Sequence, residues 1–354
     1  MARRAALGKR GSPQVARFLL DVDRECTKLA DELRAETYQP QKGRAFWICD
    51  PKPRCIYALP FRDRVVQHLL IDATLLQIER RLVAQTYACR IGMGTHRCLD
   101  RAAELHRTHS YVLRIDIQKF FPSIDHEVLR RLLNRVTPLP WRWLRDRFLD
   151  APIATERSDL HFPGEDSFVP LMRPHGLPIG SLTSQIWANL YLSPLDHALT
   201  SHLGIGTWVR YSVDVLVYHD DAARLESALG HLEEVALRLR LRLHPHKTRI
   251  QETTEPLPFL GFALQRHQDA VSVRLRSENL VRMRQRVSAL RTLFSAGAIE
   301  VDEVTARLSA WLAHARHGHT RSLIERELAR WTFVRSPHPP ATCTPESARR
   351  GGSV

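Results

Sequence analysis

The chain has 354 residues, 44% of them apolar, with 52 Lys and Arg against 38 Asp and Glu, a formal charge of +14 and an isoelectric point near 10.1. That balance disfavours a basic partner and favours a polyanion held through phosphate contacts and counterion release. No apolar stretch is long enough to span a bilayer, the six cysteines (26, 49, 55, 89, 98 and 343) include no Cys-x-x-Cys pair, and the basic opening Met1 to Arg10 lacks the apolar core of a signal peptide. These observations argue against a membrane span, a zinc ribbon, a disulfide framework and secretion, and a cytoplasmic location is expected.

In chain order, residues 1–20 form a basic N-terminal segment, and Arg17 to Arg34 and Leu59 to Val83 carry apolar residues at helical spacing. Tyr111-Val-Leu-Arg-Ile-Asp116 reads as an apolar strand that ends on an acid, followed by a turn at Pro122. Pro138 to Pro174 is rich in Pro and charge and loses periodicity after Leu149, which predicts an irregular insertion in which Trp141 and Trp143 serve helix packing rather than base stacking. Ser184 to Leu199 predicts a helix, and Trp208 to Tyr211 and Val215 to Tyr218 predict strands on either side of a turn. Ala222 to Leu241 predicts an amphipathic helix whose stripe of Leu225, Leu229, Leu232, Val235, Ala236 and Leu239 suits it to cover a sheet. Ser277 to Thr332 is helical in pattern, with Arg282, Arg284, Arg286 and Arg291 crowded into its first segment. His314, His317 and His319 have helical spacing, but no nearby Cys or acid completes a metal set. Residues 335–354, with four prolines and two glycines, read as a disordered tail.

The acids at the strand ends carry the chemistry. A carboxylate at a strand end is a ready ligand for Mg²⁺, which prefers one or two protein carboxylates plus water and substrate phosphates; a two-metal phosphoryl-transfer site needs such acids from at least two strands. Asp116 and Asp214 are suitable donors. A lone strand-end Asp is more often a cap or turn residue, and it is the surrounding motifs that raise these two above that reading. Asp220 and Asp221 follow six and seven residues after Asp214, beyond a strand rising ~3.3 Å per residue, and read as turn acids at its far end.

From about residue 20 to 320 the chain resembles, in motif order and spacing, the reverse transcriptases of bacterial retroelements. Lys52-Pro-Arg54-Cys-Ile56 with Leu59-Pro-Phe-Arg-Asp63-Arg-Val-Val-Gln67 resembles the segment in which a basic pair holds the incoming triphosphate, and Gly92-Met-Gly94-Thr95 the loop that follows. Asp116 matches the first catalytic aspartate and Phe121 the steric gate against a ribose 2′-OH. Gly176-Leu-Pro-Ile179-Gly180-Ser-Leu-Thr-Ser184-Gln185 resembles the loop and helix start that support template and nucleotide. His244-Pro-His-Lys247-Thr resembles the motif whose Lys protonates the leaving pyrophosphate, and Phe259-Leu-Gly261-Phe262 the primer-grip hairpin. The resemblance implies an α+β right-hand polymerase: fingers over 21–110, a palm with an antiparallel sheet over 111–265 (insertion at 138–174), and a helical thumb over 277–334 whose Arg282, Arg284 and Arg286 follow the template–primer duplex. It further implies an RNA template, a DNA primer, dNTPs and Mg²⁺, with Mn²⁺ as a substitute.

Two departures refine this. Ile179-Gly180 with Ser184-Gln185 replaces the usual Gln-Gly and Ser-Pro, a form similar to that of diversity-generating retroelements, whose enzymes copy a template-repeat RNA with frequent errors at adenines and work with a small basic accessory protein. An apolar Ile179 removes an amide able to hydrogen-bond near the nucleotide sugar. The second departure is Tyr211-Ser-Val213-Asp214, where the family pattern is Tyr-x-Asp-Asp: Val213 stands at the expected third metal ligand. Losing one ligand of a metal site that positions the attacking hydroxyl costs orders of magnitude in rate, so a weak or silent polymerase is expected. The rival readings are a catalytically silent relative that binds RNA or a partner, and an antiphage-defence reverse transcriptase.

Overall fold

A computed structural model describes residues 1–9, 11–49, 53–151, 158–166, 168, 172–268 and 270–335. Lys52, Cys343 and residues 336–354 of the expected tail lie outside these. The described chain falls into two compact units, one of residues 1–105 and 109–252, the other of 106–108 and 253 onward.

The first unit opens with α1 (Ala2–Ala5), α2 (Pro13–Leu20) and α3 (Val22–Arg34), followed by the antiparallel hairpin β1 (Arg44–Cys49) and β2 (Pro53–Ala58). Next comes α4 (Phe61–Glu79), whose buried face of Val65, Val66, Leu70, Ile71 and Ile78 enters the main core. The helix α5 (Thr95–Thr108) leads to β3 (Tyr111–Ile115), the short α6 (Phe120–Ser123), α7 (His126–Asn134) and α8 (Arg142–Leu149). The predicted irregular insertion therefore begins with an ordered helix, and Trp141 and Trp143 pack against the main core. Irregular chain follows at 158–166.

Helix α9 (Leu182–Tyr191) is buried along most of its length. The sequence predicts one helix from Ser184 to Leu199; the structure starts it two residues earlier and restarts it as α10 (Ser193–His197), with Pro194 in the first turn, because proline cannot donate to the preceding turn. Then β4 (Trp208–Tyr211) and β5 (Asp214–His219) form a hairpin, α11 (Ala222–Arg238) follows, and β6 (Arg249–Glu252) closes the unit.

These strands form one antiparallel sheet of order β4-β5-β3-β6. In register, Ile115 faces Val215 and Leu113 faces both Val217 and Ile250. Helix α11 packs across β5, β3 and β6, burying Leu225, Ala228, Leu232, Val235 and Ala236, and each fully buried Leu contributes roughly 1.5–3 kcal/mol. Asp221 caps that helix, its carboxylate accepting from the Ala223 amide at 2.9 Å.

The second unit holds a three-stranded antiparallel sheet, β7 (Leu257–Phe259), β8 (Phe262–His267) and β9 (Ala270–Leu275), then α12 (Ser277–Ser295), α13 (Val301–Ala315) and α14 (Arg321–Leu328) around Met283, Val287, Leu290, Leu308 and Trp311. The first unit ends at Glu252, and among the described residues β7, β8 and β9 form a sheet of their own. The chain is thus α+β, with antiparallel sheets backed by helices and a helical C-terminal part. No described helix is long and apolar enough to cross a membrane.

Candidate active site

Two acids meet at one end of the four-stranded sheet. Because Ile115 is in register with Val215, Asp116 and Asp214 occupy adjoining strand ends. Asp116 is held on both sides: its carbonyl accepts from the His244 amide at 2.8 Å, and its carboxylate accepts from Lys247 Nζ at 2.6 Å. Arg114 lies two residues earlier on β3, hence on the same sheet face, and its Nη2 is 3.6 Å from Asp214 Oδ1. Burial pushes the Asp214 carboxyl above its usual range, Arg114 pulls it back down, and Asp116 pushes it up again.

The hairpin that delivers Asp214 is a two-residue turn, Ser212-Val213, closed by the Tyr211–Asp214 pair. Its positive φ of 56° falls on Ser212 and not on β-branched Val213, for which the left-handed region is strongly disfavoured. Val213 is half-buried and packs against the main core. From below, the turn is held by Arg210, whose Nη1 donates to the Ser212 carbonyl at 3.0 Å while its Nε and Nη2 grip buried Asp196 at 2.8 and 2.6 Å. Beside it, Thr95 Oγ1 donates to the Tyr211 hydroxyl at 3.0 Å.

Among the described residues, neither Asp220 nor Asp221 stands in for a carboxylate at Val213. Asp220 accepts from the Ser110 amide at 2.8 Å, at the end of β3 and β5 opposite Asp116, and Asp221 is the cap of α11. Among the described residues no group of three His, Cys, Asp or Glu converges as a metal site. Two adjoining carboxylates nevertheless suit one Mg²⁺, which completes its shell with water and phosphate oxygens.

The proposed nucleotide-binding residues form a second connected set. Arg54 is exposed on β2 opposite Ile48. The Ile179 carbonyl accepts from the Tyr57 amide at 3.0 Å, tying the loop before α9 to β2. Gly180 has φ 107°, and a Cβ there would meet Ile56 Cγ2 at 3.0 Å, so the loop needs glycine for both conformation and approach. Gln67 Nε2 donates to Ser181 Oγ at 2.9 Å and to Thr183 Oγ1 at 3.0 Å, fixing the start of α9. Gln185 is exposed, with Cys89 Sγ 3.9 Å from its Oε1. A cavity of about 400 Å³ opens between Phe46, Ile56, Arg64, His68, Gly180 and Gln185. Phe121 is half-buried against Phe120, and its carbonyl accepts from the Leu177 amide at 2.9 Å, which joins the Phe121 turn to the Ile179 loop.

In the second unit, Gly261 forms the β7–β8 turn with Leu260, both at positive φ as a two-residue type I′ hairpin requires. A side chain at Gly261 would press on His314 Nε2 at 3.0 Å. Arg282 and Arg286 are exposed on α12; Arg284 instead makes a two-pronged ion pair with Glu327, at 3.0 and 2.6 Å, and so stabilises the helical packing. Both His314 and His319 have partners within this unit: the His314 ring is tilted against that of Phe262 with centroids 4.8 Å apart, and His319 Nδ1 accepts from the Val273 amide at 3.4 Å.

The sequence reading missed Arg114, Arg210 and Asp196. The i to i+2 spacing from Arg114 to Asp116 on a strand was a usable signal; the Asp196–Arg210 pair joins distant elements and leaves no local pattern.

Residues 42–264 match the family model described as Reverse transcriptase (RNA-dependent DNA polymerase). No curated protein matches the chain. Among solved structures, apo telomerase from Candida tropicalis truncated from its C-terminal domain is 11% identical, with a TM-score of 0.49, covering 66% of this chain and 56% of that one. Telomerase from Candida albicans, in complex with a fragment of telomeric RNA, is 12% identical, with a TM-score of 0.46, covering 80% of this chain and 55% of that one. The chain therefore spans little more than half the length of these structures.

Proposed function

Because this chain belongs to the reverse transcriptase (RNA-dependent DNA polymerase) family, we propose that it copies an RNA template into DNA at the Asp116–Asp214 sheet end, at a rate limited by Val213. The observation that carries this is the meeting of Asp116, Asp214 and Lys247 beside a turn of the Tyr-x-x-Asp form. Lys52 and Arg54 hold the triphosphate of the incoming dNTP, Phe121 checks its sugar, and the loop at Ile179 and Gly180 with Gln185 supports template and nucleotide. The primer 3′-hydroxyl gives its proton to solvent as its oxygen bonds the α-phosphorus, the α–β bridging bond breaks, and the departing pyrophosphate takes a proton from Lys247 Nζ, which solvent then restores. Mg²⁺, when bound at the two carboxylates, would neutralise charge on the reacting phosphates and the attacking oxygen. Gly261, Arg282 and Arg286 face the primer–template duplex in this reading, while Arg284 supports them through Glu327. The Ile179 and Gln185 substitutions favour a diversity-generating retroelement of bacteria, with a small basic accessory protein as partner.

The test is primer extension on an RNA template by the purified chain in Mg²⁺ and in Mn²⁺. Slow extension is expected, falling by about 10²-fold or more in Asp116→Ala; extension unchanged in that variant would remove the acids from the chemistry. Phe121→Ala is expected to raise ribonucleotide relative to deoxyribonucleotide incorporation by roughly 10–200-fold, the range one steric contact commands. An unchanged ratio in single-nucleotide incorporation would take the gate elsewhere.

A second reading, a relative that binds RNA or a partner without polymerising, is favoured by one observation: each remaining carboxylate already has a cation beside it, Lys247 at Asp116 and Arg114 at Asp214. Complete silence of the chain in both metals, with tight RNA binding retained, would select it. A place in antiphage defence would show as extension dependent on phage infection.

A further inference from the structure

The acid pair is charge-balanced from within. Asp116 and Asp214 bring two negative charges; Lys247 Nζ, 2.6 Å from Asp116, and Arg114 Nη2, 3.6 Å from Asp214, bring two positive ones. Val213 adds nothing, where a third carboxylate would leave the cluster net negative. Arg114 is only partly exposed, at 23% of its side chain, and its Nε is buried without a hydrogen-bond partner among the described residues. A guanidinium whose Nε lacks an acceptor and whose nearest carboxylate is 3.6 Å away has donors left for a stronger acceptor, and its fork matches phosphate oxygens.

We propose that Arg114 is a positioning residue that holds the Asp214 carboxylate until a triphosphate arrives, so that divalent ion and nucleotide enter this site together and the free protein binds the ion weakly. This rests on the reading of Asp116 and Asp214 as the metal-holding pair. A divalent cation approaching the neutral cluster gains no net Coulomb attraction and must displace an internal cation from each acid. A triphosphate reverses the balance, because its oxygens draw Arg114 and Lys247 away and expose both carboxylates to the ion. Ion and nucleotide then promote each other's binding, and that coupling is reciprocal.

The experiment measures Mn²⁺ binding by the full chain from the free-ion paramagnetic resonance signal, with and without a dNTP analogue whose α–β bridge cannot be cleaved. For the unaltered chain the analogue is expected to tighten Mn²⁺ binding strongly. Arg114→Met is expected to bind Mn²⁺ without nucleotide roughly tenfold more tightly or better, and to show a correspondingly smaller nucleotide effect. Arg114→Lys keeps the charge and should stay close to the parent; Arg114→Gln, which keeps a polar side chain, should follow Arg114→Met and covers the case in which Met perturbs folding. A gain in affinity is the diagnostic readout, since a merely structural role would lower it. Unchanged or weakened binding in both neutral variants, with binding lost in Asp214→Asn, overturns the proposal and leaves the metal-holding pair standing. Binding unchanged in Asp116→Asn and Asp214→Asn would instead overturn the underlying reading of the site.

Discussion

Val213→Asp is expected to raise Mg²⁺-dependent primer extension by about 10²-fold or more. The residue sits in the Ser212-Val213 turn immediately before Asp214, half-buried against the main core, at the position the sequence reading matches to an acid of the family pattern. A carboxylate there gives the site a third ligand and turns a balanced cluster into a net negative one. A hundredfold gain corresponds to about 2.7 kcal/mol of transition-state stabilisation, well within what one ligand supplies. The same substitution has a cost without metal: it removes apolar packing and places a third negative charge beside two others, which should lower stability by about 1–3 kcal/mol. Divalent ion offsets that cost by binding the folded form, so the thermal midpoint of Val213→Asp should rise with Mg²⁺ more steeply than that of the parent. Paired extension and melting measurements separate the cases. A variant that melts normally, gains no Mg²⁺ dependence and extends no faster would mean that the turn does not address the metal site.

How much of this could be read beforehand depends on whether the signal was local. Asp116 was visible because an apolar run, Tyr111 to Ile115, ends on it, and α11 because its stripe has a clean helical period. The hairpin of Arg44–Cys49 and Pro53–Ala58 was not visible: it is a two-stranded ribbon exposed along most of its length, so no alternation of buried and exposed positions marks it. The Asp221 cap could be anticipated from its place before a periodic run, whereas the break at Pro194 was hidden inside continuous apolar spacing. The division after Glu252 depends on which strands pair with which, and pairing across the chain has no local trace. At the site, the acids and Lys247 came from motif spacing, but their mutual charges came only from folding, which set Arg114 against Asp214. Arg210 looked like one more residue of a strand until its partners were seen.

Those partners make the Arg210–Asp196 pair the place at which the largest loss of stability is expected. Its side chain is 1% exposed and that of Asp196 2% exposed, and the guanidinium also donates to the Asn189 Oδ1 at 3.0 Å and carbonyl at 3.3 Å, binding α9, α10 and the Ser212 turn into one unit. Burial pushes the Asp196 carboxyl up and Arg210 pulls it down, so each charge depends on the other. Removing one partner leaves an uncompensated buried charge: Asp196→Ala is expected to cost about 3–5 kcal/mol in urea unfolding, a large share of the roughly 5–15 kcal/mol of an ordinary domain. The double change Arg210→Met with Asp196→Leu removes both charges together and should recover most of that loss. Primer extension should not recover with it, because the Ser212 carbonyl still lacks its donor and the turn carrying Asp214 loses its support. A loss below about 1 kcal/mol in Asp196→Ala would show that the pair does not anchor the turn, and extension restored along with stability in the double variant would show that Arg210 serves folding alone.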